Sequence, residues 1–86
     1  MNIENTLKNI LSAMIHVDIN DFYFDMPLLG EYPELDSMGI MLLLIEIESL
    51  INLDTNEITL SAETFATFGS LLQNLEAVSR FAQLSA

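Results

Sequence analysis

Large apolar residues recur at helical spacing in three separate stretches of this chain, and no two segments alternate as paired strands would. That pattern constrains the fold more than any other feature. In residues 2–15, Ile3, Leu7, Ile10, Leu11, Met14 and Ile15 form one stripe, with Asn, Glu, Thr, Lys and Ser between them. Residues 37–51, SMGIMLLLIEIESLI, read as a second helix with Asp36 placed as its N-cap. In 68–82, Phe68, Leu71, Leu72, Leu75, Val78 and Ala82 repeat the pattern behind Thr67, a capping residue. The string SAET, Ser61 to Thr64, reads as one short helical turn capped by Ser61. The strings DFYF and NEITL are strand-like in composition but have no alternating partner, so no strand is expected. The expected fold class is an all-α bundle of three main helices, one short helix and a long loop between helices 1 and 2.

The long connector, 16–36, is HVDINDFYFDMPLLGEYPELD. Pro27, Gly30 and Pro33 break regular structure there. Phe22, Phe24, Leu28, Leu29 and Leu35 are too many large apolar side chains for a linker, so the loop is expected to pack across the helices. Residues 52–60 form a second connector.

With 86 residues the chain suffices for one domain, 1–86. It has no cysteine, which excludes disulfides and thiolate metal sites. Thirteen acids face two bases, Lys8 and Arg80, for a net charge of −11. Such a surface repels nucleic acid and anionic membranes and favours basic partners. The hydrophobic content, 51%, is too high for a disordered acidic chain. No apolar run is long enough to span a membrane, and the N-terminus lacks the basic segment of a secretory signal. The expected location is the cytoplasm.

The second helix carries more apolar surface than a core needs. At 100° per residue from Ser37, the residues Ile40, Leu43, Leu44, Ile47, Leu50 and Ile51 cluster between about 220° and 340°. That arc is enough for the core. Met41, Ile45 and Leu42 fall on the other side, in the sector of Ser37 and Glu48. Two readings of this second patch stand. The long connector covers it, or it is a docking face for partners, with Met38, Met41, Leu42 and Ile45 as apolar contacts and Glu46 and Glu48 at the rim.

The string PELDSMGIMLLLIEIE sets a serine on the first turn of a helix, after an acid and a long loop. Read alone, Asp36-Ser37 is a helix cap. Read with the topology, length and acidity of the whole chain, it resembles the acyl carrier proteins. Their mark is Asp-Ser-Leu or Asp-Ser-Met at the start of the second of four helices. The resemblance implies a four-helix acyl-carrier-like bundle and a carrier, not an enzyme. It implies that Ser37 bears a covalent 4′-phosphopantetheine drawn from coenzyme A, and that Asp36 helps the transferase hold its magnesium. Partners would be a phosphopantetheinyl transferase, an acyl-loading ligase or acyltransferase, and downstream synthases or transferases, as in fatty-acid or polyketide biosynthesis. The family's usual state is a monomer.

A narrower likeness lies in PLLGEYPELDSM with the later SAETF and TFGSLL, which resemble carriers associated with exosortase systems. The common fatty-acid pattern has acids where this chain has Gly39 and Leu42. That departure suggests a specialised pathway, with Gly39 permitting close approach of the arm or a partner. Two other readings remain open: an aminoacyl, peptidyl or aryl carrier, and a small acidic helical adaptor with no prosthetic group. An apolar cleft between helices is expected to shelter cargo. Leu43, Ile47, Phe65, Phe68 and Leu72 are candidate lining residues on periodicity alone, and core packing is the better account of them.

Other chemistries lack their residues. His16 is the single histidine and no G-x-S-x-G elbow surrounds Ser37, so a hydrolase triad is not expected. His16 reads instead as a favourable residue at a helix C-terminus. Asp18, Asn20, Asp21 and Asp25 cluster, but Phe22 and Tyr23 occupy the positions where a calcium loop needs a ligand and a glycine. No metal site is expected.

Overall fold

The structure is a computed structural model that describes residues 2–54, 58 and 61–85, with side chains through residue 80. Three helices form where the periodicity sets them: α1 (Ile3–Ile15), α2 (Ser37–Ile51) and α3 (Phe68–Ser85). Among the described residues there is no strand, only a single bridge between Pro27 and Thr67. Most of the string NEITL lies outside the described residues.

Each helix starts on a side-chain cap. The Asn2 side chain accepts from Asn5 N–H at 3.1 Å, and the Asp36 carboxylate accepts from Gly39 N–H at 2.8 Å. At α3 the cap is reciprocal: Ser70 N–H donates to Thr67 Oγ1 at 3.0 Å, and Thr67 N–H donates to Ser70 Oγ at 3.1 Å. Ser70 thus takes the returning role of a capping-box glutamate. α1 and α2 both end on left-handed residues, His16 and Asn52, each at φ 60°. His16 N–H donates to Ser12 O, so this residue closes α1 through its backbone.

Segment 61–66 makes one tight coil. Phe65 N–H reaches Ser61 O at 3.4 Å, Ala66 N–H reaches Glu63 O at 3.3 Å, and Ser61 Oγ accepts from Thr64 N–H. The short helical turn expected from SAET is present as this coil, with Ser61 as its cap. A 3₁₀ turn, Ile19–Asp21, also forms inside the long connector. Its signal is Asp18, whose carboxylate accepts from Asn20 N–H at 2.8 Å.

The connector is stitched to the start of α3 by backbone bonds. Leu28 N–H donates to Ala66 O, Leu29 N–H to Phe65 O, Phe68 N–H to Met26 O and Gly69 N–H to Phe24 O. This ladder turns Phe22, Met26 and Leu28 inward. The loop packs across the helices as expected, with Phe22, Leu28 and Leu35 in the core, while Phe24 and Leu29 stay exposed. Both sit in turns, closed by Met26 N–H to Tyr23 O and by Glu31 N–H to Leu28 O, at the outer corners of the loop.

The buried side chains form one cluster. Leu7, Leu11, Leu28, Leu43, Ile47, Leu71 and Leu75 are its most enclosed members. Three helices and the loop supply them, and α1 packs on both α2 and α3. No described helix is long and apolar enough to cross a membrane.

Charge opposes this compaction. The molecule extends 37 × 25 × 22 Å. At about 0.01 M salt the Debye length is about 30 Å, so acids across the whole body repel one another; at 0.15 M it is about 8 Å. With a net charge of −11, the melting temperature is expected to rise as salt is added over that range. A flat profile in a thermal melt would show that self-repulsion costs this fold nothing.

Candidate functional site

Asp36 and Ser37 sit where the long loop turns into α2. Asp36 is in extended backbone, at φ −89° and ψ −171°, which aims its carboxylate back at the first turn. Ile40 N–H closes on Asp36 O at 2.9 Å, so the helical ladder begins at once. Ser37 is the first helical residue and is exposed. The cap belongs to Asp36, which leaves the Ser37 hydroxyl to solvent. Replacing Asp36 by alanine is expected to cost about 1 kcal/mol, while asparagine, which also accepts from Gly39 N–H, should retain most of it. Thermal melts of the two variants check this. Equal losses would mean that the cap bond does not set stability here.

Gly39 is buried, and its role differs from the one expected. A Cβ there would strike Glu34 O of the loop. The residue therefore lets the loop's own backbone approach α2, rather than an arm or a partner. Glycine in the first turn of a helix was the signal, but the sequence does not say which group comes close.

Beside Ser37 lies an open groove of about 600 Å³ between α2 and the coil at 61–65. Ile40, Met41 and Leu44 line it from α2, Leu29 and Phe65 from across, and Ser61 adds a hydroxyl. Of the candidate cleft residues, only Phe65 touches this groove. Leu43, Ile47, Phe68 and Leu72 are packed in the core. The groove residues Leu29, Ser61 and Ala62 were missed because they belong to segments with no helical periodicity.

The connector does not cover the second apolar patch of α2. Met38 is 71% exposed, Met41 64%, Leu42 53% and Ile45 58%, and Glu46 and Glu48 beside them are exposed too. The loop is held instead against 65–69. Leu50, expected in the core, is also exposed: it lines a recess between α1 and α2.

The chain matches no family model, and no curated protein matches it. Among solved structures it is similar to a holo acyl carrier protein from Nitrosomonas europaea, determined in solution by NMR. The two superpose with a TM-score of 0.71, and the match covers 100% of each chain at 31% sequence identity. This supports the family and gives no support to the narrower exosortase-associated group. Identity sustained over the whole of both chains, on a matching backbone, makes this chain a member of the acyl carrier proteins, which are carriers of acyl groups and not enzymes.

Proposed function

We propose that Ser37 is the attachment point of a 4′-phosphopantetheine arm, and that the chain serves a specialised pathway rather than bulk fatty-acid synthesis. The observation that carries the reading is the exposed Ser37 hydroxyl on the first turn of α2, in a chain that matches a holo carrier from end to end. The local chemistry fits the group. A helix N-terminus presents free N–H groups and the positive end of its dipole, which favour a phosphodiester on the adjacent oxygen. The groove beside Ser37 offers apolar walls and the Ser61 hydroxyl to a chain of methylenes and amides.

In the loading step Ser37 Oγ attacks the coenzyme A phosphorus that bears the pantetheine. An O–P bond forms to Ser37, the pyrophosphate P–O bond breaks, adenosine bisphosphate leaves, and the serine proton passes to the transferase. Asp36 supports the transferase's magnesium in that encounter. The arm, once attached, supplies a thiol on which partner enzymes build a thioester. This chain's own residues tether and present the cargo, which raises its effective concentration at each enzyme.

Met38, Met41, Leu42, Ile45, Glu46 and Glu48 form the face on which those enzymes dock. Exposed apolar contacts framed by carboxylates suit a basic, apolar partner surface. Leu42 stands on this face where the common fatty-acid carriers have an acid, and that substitution supports a dedicated set of partners: a transferase, a loading ligase or acyltransferase, and a downstream synthase or transferase. The carrier acts as a monomer in the cytoplasm.

The test is the intact mass of the folded chain after incubation with coenzyme A and a broad-specificity phosphopantetheinyl transferase. A gain of one phosphopantetheine is the expected result. No gain with several transferases would make the chain an acidic helical adaptor and reduce Asp36-Ser37 to a cap.

A further inference from the structure

A second recess lies away from Ser37. It is a groove of about 720 Å³ between α1 and α2. Ile10, Ala13 and Met14 line it from α1; Leu42, Glu46 and Leu50 line it from α2. The three α2 residues recur every four positions and so form one row along the helix. The row spans about 12 Å, roughly two turns. It lies about 170° around α2 from the Ser37 groove, at 100° per residue. The leucines at its two ends are half open to solvent, Leu42 at 53% and Leu50 at 47%.

We infer that this groove docks an amphipathic, positively charged helix from a partner protein. Its shape selects a helix, because two packed helices leave a channel into which the ridge of a third fits. Its charge selects a basic one. The chain has two bases against thirteen acids, and Lys8 on α1 is already paired with Glu4 at 3.0 Å. A second copy of this chain, or an anionic lipid, would bring like charge to like charge. Glu46 is exposed among apolar neighbours and offers a carboxylate to one lysine or arginine. Because the groove is on the far side of α2, a helix seated there leaves the Ser37 groove open. It does cover Leu42 and Glu46, so it competes with the enzymes proposed to dock on that part of α2 while leaving Ser37 itself accessible.

The probe is a synthetic leucine-lysine helix of about four turns with its leucines on one face, together with its leucine-glutamate counterpart. Each is titrated into the full chain at about 0.15 M salt while backbone amide shifts are followed. The lysine peptide is expected to saturate, with shifts centred on Ile10–Met14 and Leu42–Leu50, and the glutamate peptide to leave them unmoved. Leu50→Ser should weaken binding about fivefold, the factor expected from half a leucine side chain of burial, and Ala13→Gln, which puts a longer polar side chain into the groove, should weaken it as well. Met41→Ser, on the opposite groove, should not. Both test positions are exposed, and far-UV circular dichroism confirms folding; Ala13→Gln decides the matter if Leu50→Ser unfolds. Shifts centred on Met41 and Ile45, diffuse shifts over the acids without saturation, equal binding of the glutamate peptide, or no binding would each overturn the inference.

Discussion

Ser37→Ala is expected to abolish attachment of phosphopantetheine completely while leaving the fold as stable as before. The two halves of that expectation come from different atoms. Attachment needs the Ser37 hydroxyl, and alanine has none. Stability needs the cap at the head of α2, and Asp36 provides it through Gly39 N–H at 2.8 Å. Ser37 is exposed and already helical, so alanine, the better helix former by roughly 0.5 kcal/mol, should hold or slightly raise the melting temperature. Intact mass and a thermal melt on the same sample read both. Continued gain of mass by the variant would move the attachment to another hydroxyl. Loss of mass gain together with a collapsed melt would show that Ser37 is part of the cap after all.

Gly39→Ala is expected to destabilise the protein, against the direction that helix propensity predicts. In an open helix the change would gain about 1 kcal/mol. Here the new methyl group meets the backbone carbonyl of Glu34, which cannot swing aside as a flexible side chain would. The loop 34–36 must move, and overpacking of this kind costs about 1–3 kcal/mol, and more where backbone is displaced. The net expectation is a loss of about 2 kcal/mol, or roughly 10 °C in melting temperature for a chain of this size. Moving that loop also disturbs Asp36, so loading of Ser37 should slow in the same variant. A higher melting temperature would show that the loop does not press on α2. The contrast with Ser37→Ala is informative, because two positions in one turn of a helix separate chemistry from packing.

The three helices were legible because their stripes are long and regular. Leu7, Leu11, Leu43, Ile47, Leu71 and Leu75 are all buried, and the spacing of each marks it as core without reference to any other segment. Asp36, Ser61 and Thr67 were legible as caps, since a short polar side chain before an apolar run has a local use for the first free N–H groups. The Asp-Ser pair on α2 and the acidity of the chain carried the family resemblance. The helices, the caps and the Asp-Ser pair are local, contained in a few residues each, while the acidity is a sum over the chain.

Other features depend on which segments meet. The exposure of Phe24 and Leu29 follows from the ladder that ties 24–29 to 65–69, and nothing in either segment names the other. The same docking leaves Met38, Met41, Leu42 and Ile45 bare, so the connector does not cover α2's surplus apolar face. Leu50 lies within the core arc of a helical wheel yet is exposed, because α1 and α2 leave a recess beside it. Gly39 answers to a carbonyl of the loop rather than to a partner. The helices, their caps and the serine at the head of α2 follow from residues close together in the chain, because periodicity and capping act within a few residues. Which apolar faces are covered and where grooves remain follow from contacts between distant segments, which no single stretch of the chain contains.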